Sequence, residues 1–284
     1  MKVVRTPAEV RSVLIAAERP IGLVPTMGAL HAGHLALVSA AREECNTVVA
    51  SLFVNPLQFG PTEDFDRYPR AFEDDVRQFE SAGVDLVYAP SVDTMYPAGF
   101  GTTVDPGPVA ERYEGALRPG HFRGVATVCV KLFDVVSPAR AYFGQKDAQQ
   151  CAVLERVVRD LDLPVEIVVR PTIREDDGLA LSSRNVYLTE DERAAAPALY
   201  RAVSAIAQAV RDGETDRDRA VARGRAKLVD ATREAYLDVV DPATFAPHEH
   251  AIRRPAIAIG SVYLGKTRLL DNVPILRQAG DGAS

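Results

Sequence analysis

Residues 21–55 read IGLVPTMGALHAGHLALVSAAREECNTVVASLFVN, and this stretch determines the fold class. It opens with a short apolar run, continues with helical spacing in HLALVSAAREE and closes with a second apolar run, TVVASLFVN. The closing run is almost continuously apolar, which is typical of a strand buried on both faces of a parallel sheet. A strand, a helix and a strand in this order predict a βαβ unit.

The same alternation continues to residue 171. Helical spacing in AFEDDVRQFESAG, VATVCVKLFDVV and DAQQCAVLERVVRDL alternates with the strand-like runs VDLVYAP, ARAYFG and PVEIVVRP. Strands separated by helices of this length indicate a parallel sheet that is covered on both faces. The sequence therefore predicts an α/β protein with a doubly wound parallel sheet.

The pattern changes after Pro171. A loop containing REDDG leads to helical spacing at about residues 189–212 and 216–233, and then to the short strand-like runs YLDVVD, AIAIGSVYLG and TRLLDN. We therefore expect two domains, residues 1–172 with the parallel sheet and residues 173–284 with a smaller α+β fold. The tail QAGDGAS is expected to fray.

The overall composition indicates a small-molecule partner. The sequence has 33 basic and 39 acidic residues, a net charge of −6, and its basic residues are scattered, so we expect no nucleic-acid partner. No apolar run is long enough to span a membrane and no apolar signal core lies near the start, which favours the cytoplasm. Cys45, Cys129 and Cys151 form no CxxC pair and fit buried thiols in a reducing compartment.

Two of the five histidines, His31 and His34, lie where the strand of residues 21–26 turns into a helix. Ligands bind at the carboxyl ends of strands in such sheets, and a helix N-terminus attracts phosphate. Gly28 and Gly33 would let a ligand approach the backbone, and both imidazoles could donate hydrogen bonds as charge builds on a phosphate. The alternatives are two polar loop residues or a metal site, although no third ligand lies nearby in sequence. Phosphate binding is the favoured interpretation.

Two further segments carry side chains that suit a nucleotide. In FGQKDAQQ, residues 143–150, Lys146 could neutralise phosphate, and Asp147 could bind a ribose hydroxyl or simply cap the next helix. In GLALSSRN, residues 178–185, two hydroxyls and a guanidinium could close over a triphosphate, unless this is an ordinary loop. These three side chains belong to Ser182, Ser183 and Arg184.

Neutral amides follow the strand that ends near residue 55. Asn55 and Gln58 suit recognition of hydroxyls or a carboxylate, and Gln150 could act with Gln58 on one substrate. A predicted helix downstream carries an acidic cluster that is a magnesium or dimer-contact site or, more simply, a solvated face. Its members are Asp74, Asp75 and Gln78.

A second phosphate-loop pattern occurs late in the chain. GSVYLGKT, residues 260–267, matches G-x-x-x-x-G-K-[ST], but its β-prone apolar middle cannot wrap an anion as small residues do. Pro274 also follows too closely for the helix that such a loop needs. We interpret the match as chance within a strand-forming segment. The triplet HEH, from His248 to His250, is expected to lie in a surface loop.

The sequence contains five motifs that together resemble one family. They are PTMGALHAGH, FVNPLQFGPTEDFDRYPR, RPGHFRGVATVCVKLF, FGQKDAQQ and LALSSRN, and in order and spacing they resemble those of the pantoate–β-alanine ligases from about residue 3 to residue 276. The resemblance implies a homodimer of a Rossmann-like domain and a smaller C-terminal lid, in the nucleotidyltransferase-like group with an HxGH turn. It also implies that pantoate and β-alanine are condensed with ATP and Mg²⁺ through a pantoyl adenylate, releasing AMP and diphosphate.

The resemblance further implies roles for individual residues. The ATP site would comprise Met27, Gly28, Ala29, Leu30, His31, Ala32, Gly33, His34, Gly144, Gln145, Lys146, Asp147, Ile173, Leu181, Ser182, Ser183 and Arg184. His34 would be the proton donor. The residue types themselves suggest His31 and Lys146 as further catalytic groups, because both could stabilise charge on the phosphoryl oxygens. Gln58 would bind pantoate and β-alanine, and Gln150 would bind pantoate. The metal ligands would be Asp74, Asp75 and Gln78. Gln145 and Leu181 stand where the family commonly has Glu and Met, which would alter ATP affinity more than the chemistry.

Other functions could use the same phosphate site. A nucleotidyltransferase would leave AMP on its product, whereas a ligase releases AMP when an amine is added. A non-catalytic nucleotide-binding regulator is disfavoured because His31, His34, Lys146 and Arg184 are all present. An enzyme that charges tRNA is disfavoured by the acidic balance of the chain.

Overall fold

The computed structural model of the chain describes residues 1–61, 65, 68–249 and 251–276. These residues form two compact units. The first comprises Met1–Gly144 and Val153–Pro171, and the second comprises Gln145–Ala152 and the described residues from Thr172 onward. The predictions for His250 and for the tail QAGDGAS concern residues outside the described ranges.

The chain up to Pro171 forms a six-stranded sheet and its helices. In chain order the elements are β1 (Lys2–Val4), α1 (Pro7–Leu14), β2 (Ile21–Thr26), α2 (Ala32–Glu44), β3 (Thr47–Leu52), α3 (Phe72–Ser81), β4 (Leu86–Tyr88), α4 (Val92–Met95), α5 (Glu114–Leu117), α6 (His121–Val136), β5 (Arg140–Gly144), α7 (Ala148–Asp160) and β6 (Glu166–Arg170). The strand order is β1-β4-β3-β2-β5-β6, and every neighbouring pair is parallel. The predicted α/β fold with a doubly wound parallel sheet is confirmed.

The order of the sheet reverses at β2. This strand pairs with β3 on one side and β5 on the other, so that Gly22 lies opposite both Val48 and Arg140. The chain continues from β2 to β3 and β4, and then returns to the other side of β2 for β5 and β6. Ligands of such sheets bind beyond the carboxyl ends of the strands at the reversal. The residues that follow Thr26, the last residue of β2, occupy that position.

The core of the first unit forms where α2 packs on the sheet. Leu37, Val38 and Ala41 of this helix are buried in one cluster with Val24 of β2 and Tyr142 of β5. Their spacing places them on one face of the helix, as an amphipathic pattern requires. Full burial of each large apolar side chain of this kind contributes about 1.5–3 kcal/mol. The helix that begins at the histidine turn is therefore anchored to the sheet by its own apolar face.

The three cysteines are buried and are not joined in disulfides, which confirms their prediction as buried thiols. A Cβ atom on Gly22 would lie 3.0 Å from the Cys45 sulfur, so a larger residue in β2 would press on this thiol. Burial raises the pKa of the Cys129 thiol to about 12. A thiol with such a pKa is inert at neutral pH, because the thiolate is the reactive form.

The chain after Pro171 forms a smaller α+β fold. Its elements are α8 (Glu190–Ala195), α9 (Ala198–Arg211), α10 (Arg217–Arg225), β7 (Thr232–Val240), β8 (Ala256–Leu264) and β9 (Thr267–Ile275). The strands form an antiparallel sheet in the order β7-β8-β9, and α9 packs against β8 and β9. Within the described ranges no helix combines the length and the apolar character that a bilayer crossing needs.

Segment Gln145–Ala152 belongs to the second unit, although its position in the sequence assigned it to domain 1–172. Asn272 of β9 explains the difference. Its side-chain amide donates to the carbonyl oxygens of Gln145 and Lys146 across 2.8 and 3.0 Å. Its side-chain oxygen accepts a hydrogen bond from the Gln145 amide across 2.9 Å. Local sequence patterns do not reveal contacts between residues this far apart in the chain.

Both helices predicted after residue 172 are longer than the helices in the structure. The predicted helix 189–212 is divided into α8 and α9 at Pro197, because proline lacks an N–H donor and its ring clashes with the preceding turn. The predicted helix 216–233 ends at Arg225. Residues from Thr232 onward join β7 instead, where the β-prone run TREAYLDVV pairs with β8.

The late phosphate-loop pattern forms a hairpin, which confirms the interpretation of GSVYLGKT as strand. Residues up to Leu264 belong to β8, and Thr267 begins β9. Gly265 lies between the two strands with a φ of +53°, a left-handed conformation that glycine adopts without steric cost. Since a strand follows the turn, the segment offers no helix N-terminus to a phosphate.

Candidate active site

The histidine turn connects β2 to α2 through two left-handed residues. Gly28 has a φ of +87° and Ala29 a φ of +52°. A Cβ atom on Gly28 would lie 2.7 Å from the Asp75 carboxylate, so this position requires glycine for space as well as for conformation. The turn brings Met27–His34, the predicted nucleotide-binding residues, to the reversal point of the sheet.

The two imidazoles cap the first turn of α2. His31 is the N-cap residue, and its Nδ1 accepts a hydrogen bond from the Gly33 N–H across 3.1 Å. His34 Nδ1 accepts from the His31 N–H across 3.4 Å, and the two ring centroids are 4.1 Å apart. Because Nδ1 accepts a hydrogen bond in both rings, the contacts place the ring hydrogen of each imidazole on Nε2. The pair therefore carries two Nε2–H donors at a positively polarised helix N-terminus.

The acidic cluster of α3 does not fit the predicted magnesium site. Both carboxylate oxygens of Asp75 accept backbone N–H groups of the histidine turn, and Asp75 is only 2% exposed. Asp74 is exposed and forms an ion pair with Arg77, and together with Gln78 these two side chains line an open surface hollow. Among the described residues, no three His, Cys, Asp or Glu side chains are grouped as metal ligands. Magnesium needs carboxylate oxygens that are open to the ion and its waters.

Asn55 and Gln58 form a buried amide cluster beside the histidine turn. Asn55 is 1% exposed, and its Nδ2 donates to Gln58 Oε1 and to the Gly124 carbonyl, each across 3.1 Å. Gln58 Nε2 donates to the Met27 sulfur across 2.9 Å. The structure thus brings three predicted site residues together, and it does so at the first residue of the turn.

Three residues without an assigned role hold this cluster. Tyr96 donates its hydroxyl hydrogen to Asn55 Oδ1 across 2.8 Å, and burial raises the pKa of its phenol. The carbonyl oxygen of Gln58 lies 2.8 Å from His121 Nδ1 and accepts from Arg118 across 3.1 Å. The motif RPGHFRG contains Arg118 and His121, so the sequence could have indicated these two residues. No motif around Tyr96 indicates its contact with Asn55.

A close approach of backbones fixes the amide cluster against α6. A Cβ atom on Gly124 would lie 2.2 Å from the carbonyl oxygen of Leu57, so the helix can reach the 3₁₀ turn Pro56–Gln58 only with glycine at this position. Asn55 caps that turn, since its Oδ1 accepts the Leu57 N–H across 3.3 Å. Glycine and the cap together determine the direction of the Gln58 side chain.

The second unit contains most of the other predicted nucleotide residues. Gly144 is the last residue of β5 and of the segment Met1–Gly144 in the first unit. Gln145–Asp147 then form a 3₁₀ turn that belongs to the second unit. This turn leads into α7, where Gln150 lies in the first turn. Lys146 Nζ lies 3.3 Å from Asp147 Oδ1. The 3₁₀ turn is held from β9 by the hydrogen bonds of Asn272 described above.

The serine loop lies next to the predicted adenine residue. The Leu181 N–H donates to the Ile173 carbonyl across 3.0 Å, which places Ile173 beside the loop. Ser182 caps the 3₁₀ turn Ser183–Tyr187, since its hydroxyl oxygen accepts the Arg184 N–H across 3.3 Å. A short capped turn of this kind orients the side chains of Ser183 and Arg184.

Lys146, Ser182 and Arg184 line one cavity of about 30 Å³. Arg268 and Asp271 contribute to the same cavity. Two segments that the sequence identified separately as phosphate-binding are therefore brought together within the second unit. Three cationic side chains and one carboxylate among the lining residues give this small cavity an excess of positive charge.

His248 does not line this cavity, and it is in the described part of the HEH triplet. It is half-buried, and burial lowers the pKa of its imidazole. Nearby Asp241 and Asp238 oppose that shift. The expectation of a surface loop holds only in part, since His248 is partly covered.

A family model described as pantoate-beta-alanine ligase matches residues 2–274. The chain belongs to the pantoate–β-alanine ligase family. Pantothenate synthetase 1 of Bradyrhizobium diazoefficiens is 52% identical over 276 residues, which cover 96% of this chain and 98% of the relative. Pantothenate synthetase of Chloroflexus aurantiacus is 53% identical over 274 residues, which cover 96% of this chain and 97% of the relative. The family expected from the five motifs is confirmed.

Solved structures of pantoate–β-alanine ligases share the fold. Pantothenate synthetase from Thermus thermophilus has a TM-score of 0.91 and 50% identity, over 98% of this chain and 100% of that one. A pantoate-beta-alanine ligase from Francisella tularensis, complexed with beta-gamma ATP and beta-alanine, has a TM-score of 0.78 and 30% identity, over 97% and 98% of the two chains. The chain is therefore an enzyme, a ligase of pantoate and β-alanine.

Proposed function

We propose that this ligase works in two steps through a pantoyl adenylate. A carboxylate oxygen of pantoate attacks the α-phosphorus of ATP, and the bond to the bridging oxygen breaks to release diphosphate. The amine of β-alanine then attacks the acyl carbon, loses a proton and displaces AMP. Support comes from the family of the chain, and from the ATP and β-alanine bound to the Francisella relative. The observation that carries the proposal is the histidine-capped helix N-terminus at the reversal of the sheet.

The histidine turn would stabilise charge on the transferring phosphoryl group. Negative charge gathers on the phosphoryl oxygens during attack, and the N-terminus of α2 offers a positive potential there. The Nε2–H groups of His31 and His34 are donors that are already oriented by their Nδ1 contacts. His34 would also act as the proton donor, a role that requires its ring to gain a proton on Nδ1 first. Backbone groups from Met27 to Leu30 would border the nucleotide.

The amides would select pantoate. Gln58 and Asn55 are neutral and held in fixed positions, which suits hydroxyl and carboxylate recognition without competing for protons. Gln58 would also contact β-alanine, and Gln150 would contribute a further amide to pantoate. A charged residue in place of either amide would attract or repel one ionic state of the substrate, and its charge would outweigh recognition by shape.

Side chains of the second unit would hold the rest of the nucleotide. Lys146, Ser182, Ser183 and Arg184 would bind phosphate oxygens, with Ile173 against the adenine and the segment Gly144–Asp147 along the nucleotide. Lys146 and Arg184 suit this task because an ammonium and a guanidinium donate charge-assisted hydrogen bonds to phosphate oxygens. We expect Mg²⁺ to arrive bound to ATP phosphates, and the enzyme to act as a homodimer in the cytoplasm.

Isotope exchange and product analysis test the proposal. Exchange of labelled diphosphate into ATP should require pantoate and proceed without β-alanine, and AMP release should require both. A product that keeps AMP after β-alanine is added would instead identify a nucleotidyltransferase. Binding of ATP without any turnover in the presence of both substrates would identify a regulator.

A further inference from the structure

The Asp75 carboxylate holds two successive peptide groups of the histidine turn. Its Oδ2 accepts the Ala29 N–H across 3.0 Å, and its Oδ1 accepts the Leu30 N–H across 2.9 Å. The residue is almost completely buried in the first turn of α3. A buried carboxylate is unfavourable unless hydrogen bonds compensate its charge, so both oxygens depend on these donors.

The turn needs such support from outside. Ala29 has a φ of +52°, a conformation that residues with a Cβ atom seldom adopt, and it follows Gly28 with a φ of +87°. A carboxylate that receives consecutive N–H groups fixes the orientation of both peptide planes. Because Leu30 precedes the N-cap residue His31, this also sets the path of the chain into α2.

Gly28 and Asp75 are complementary in space. A Cβ atom on Gly28 would lie 2.7 Å from Asp75 Oδ2 and 3.0 Å from a methyl carbon of Leu52. The carboxylate therefore fills the volume that a side chain would take at position 28. The glycine of the turn and the aspartate of α3 form one structural unit although they are far apart in sequence.

These contacts favour a positioning role over metal binding. Asp75 Oδ1 and Oδ2 both point at the turn, and neighbouring Asp74 is exposed and paired with Arg77. We propose that Asp75 is a positioning residue that holds the Met27–Leu30 turn in its nucleotide-binding conformation and is not a magnesium ligand. This role rests on the proposed function, since it assumes that the turn binds ATP.

Substitution of the two neighbouring aspartates separates the two roles. Asp75→Asn keeps the side-chain shape but places an amide donor opposite one N–H group, and the KM for ATP should rise at least about 10-fold. Asp74→Asn is the matched control and should stay within about 2-fold of the wild type. The Mg²⁺ concentration for half-maximal activity at saturating ATP should not change in either variant. A large rise of that concentration in both variants would overturn the proposal.

Amide exchange in the wild-type protein gives an answer that needs neither a variant nor turnover. The amides of Ala29 and Leu30 should be protected from hydrogen exchange in the presence of a chelator, and Mg²⁺ alone should leave their NMR signals unchanged. Rapid exchange of these amides, or Mg²⁺-dependent shifts centred on Asp75 and Gln78, would contradict the positioning role. Failure of the proposed function would be visible separately, as a wild-type enzyme that releases no AMP with pantoate and β-alanine.

Discussion

The side-chain amide of Gln58 donates a hydrogen bond to the sulfur of Met27 across 2.9 Å. This contact joins the buried amide cluster to the first residue of the histidine turn. The Gln58 carbonyl is held in turn by His121 and Arg118. The groups proposed to bind pantoate and those proposed to bind phosphate in the first unit are therefore parts of one hydrogen-bonded arrangement.

Loss of the Gln58 amide should weaken pantoate use. Gln58→Ala would remove the hydrogen bonds that we propose Gln58 makes to pantoate, and it leaves Asn55 Nδ2 without one of its acceptors. The kcat/KM for pantoate should therefore fall by about 10- to 100-fold. The comparison is Gln208→Ala, an exposed glutamine of α9 whose loss should have little effect. Equal kinetics in the two variants would remove Gln58 from the site.

Loss of the His34 imidazole should slow adenylate formation. His34→Ala would remove the donor that we propose stabilises charge on the phosphoryl group, and removal of one such donor costs about 100- to 1,000-fold in kcat. Single-turnover measurement of diphosphate release checks this. His248→Ala is the control, because no role in the site is proposed for His248. An His34 variant as fast as this control would contradict the charge-stabilising role.

Loss of the Lys146 charge should reduce diphosphate exchange by at least about 100-fold. Lys146 lines one cavity of the second unit with Ser182 and Arg184. Lys266→Ala is the control. Lys266 is the lysine of GSVYLGKT, which matches a phosphate-loop pattern but forms a hairpin, and it is exposed in the β8–β9 turn. Exchange that depends on Lys266 but not on Lys146 would reverse the assignment of the two lysines.

Breaking a buried ion pair of the second unit should be strongly destabilising. Arg174 donates two hydrogen bonds to buried Asp271, across 2.6 and 2.8 Å, and stacks on the Tyr200 ring. Asp271→Ala leaves the guanidinium without its carboxylate and should lower the free energy of unfolding by about 3–5 kcal/mol. Urea denaturation measures this change.

The exposed pair Arg11–Asp134 provides the comparison for that experiment. Both side chains are more than half exposed, and Asp134→Ala should lower the free energy of unfolding by at most about 1 kcal/mol. Similar losses in the Asp134 and Asp271 variants would show that burial of the Arg174 pair contributes nothing extra.

Long apolar and helical patterns allowed the sheet and most helices to be predicted. The strand IGLVPT matches β2 from Ile21 to Thr26, and α2 starts only two residues before the predicted helix 34–44. Short elements gave no such signal, so β1, with three residues, and α1 were not predicted. Pro197 divides a helix that a periodic pattern alone would continue.

The site was predictable where chemistry is local and not where it depends on distant contacts. The histidine turn combines glycines, imidazoles and a helix start within a few residues, so its place in the fold could be expected. Asp75 looked like a metal ligand or a solvated acid, because its partners Ala29 and Leu30 lie 46 and 45 residues away. The contacts of Arg118 and His121 with Gln58 span 60 and 63 residues and were missed for the same reason.

The burial of all three native thiols makes this enzyme suitable for site-directed fluorescent labelling. An alkylating dye reacts with accessible thiolates, and Cys45, Cys129 and Cys151 are shielded in the folded chain. Val186, two residues after Arg184, is 75% exposed, so a cysteine introduced there would be the preferred point of attachment. A probe at that position would follow the serine loop during turnover without removal of any native cysteine.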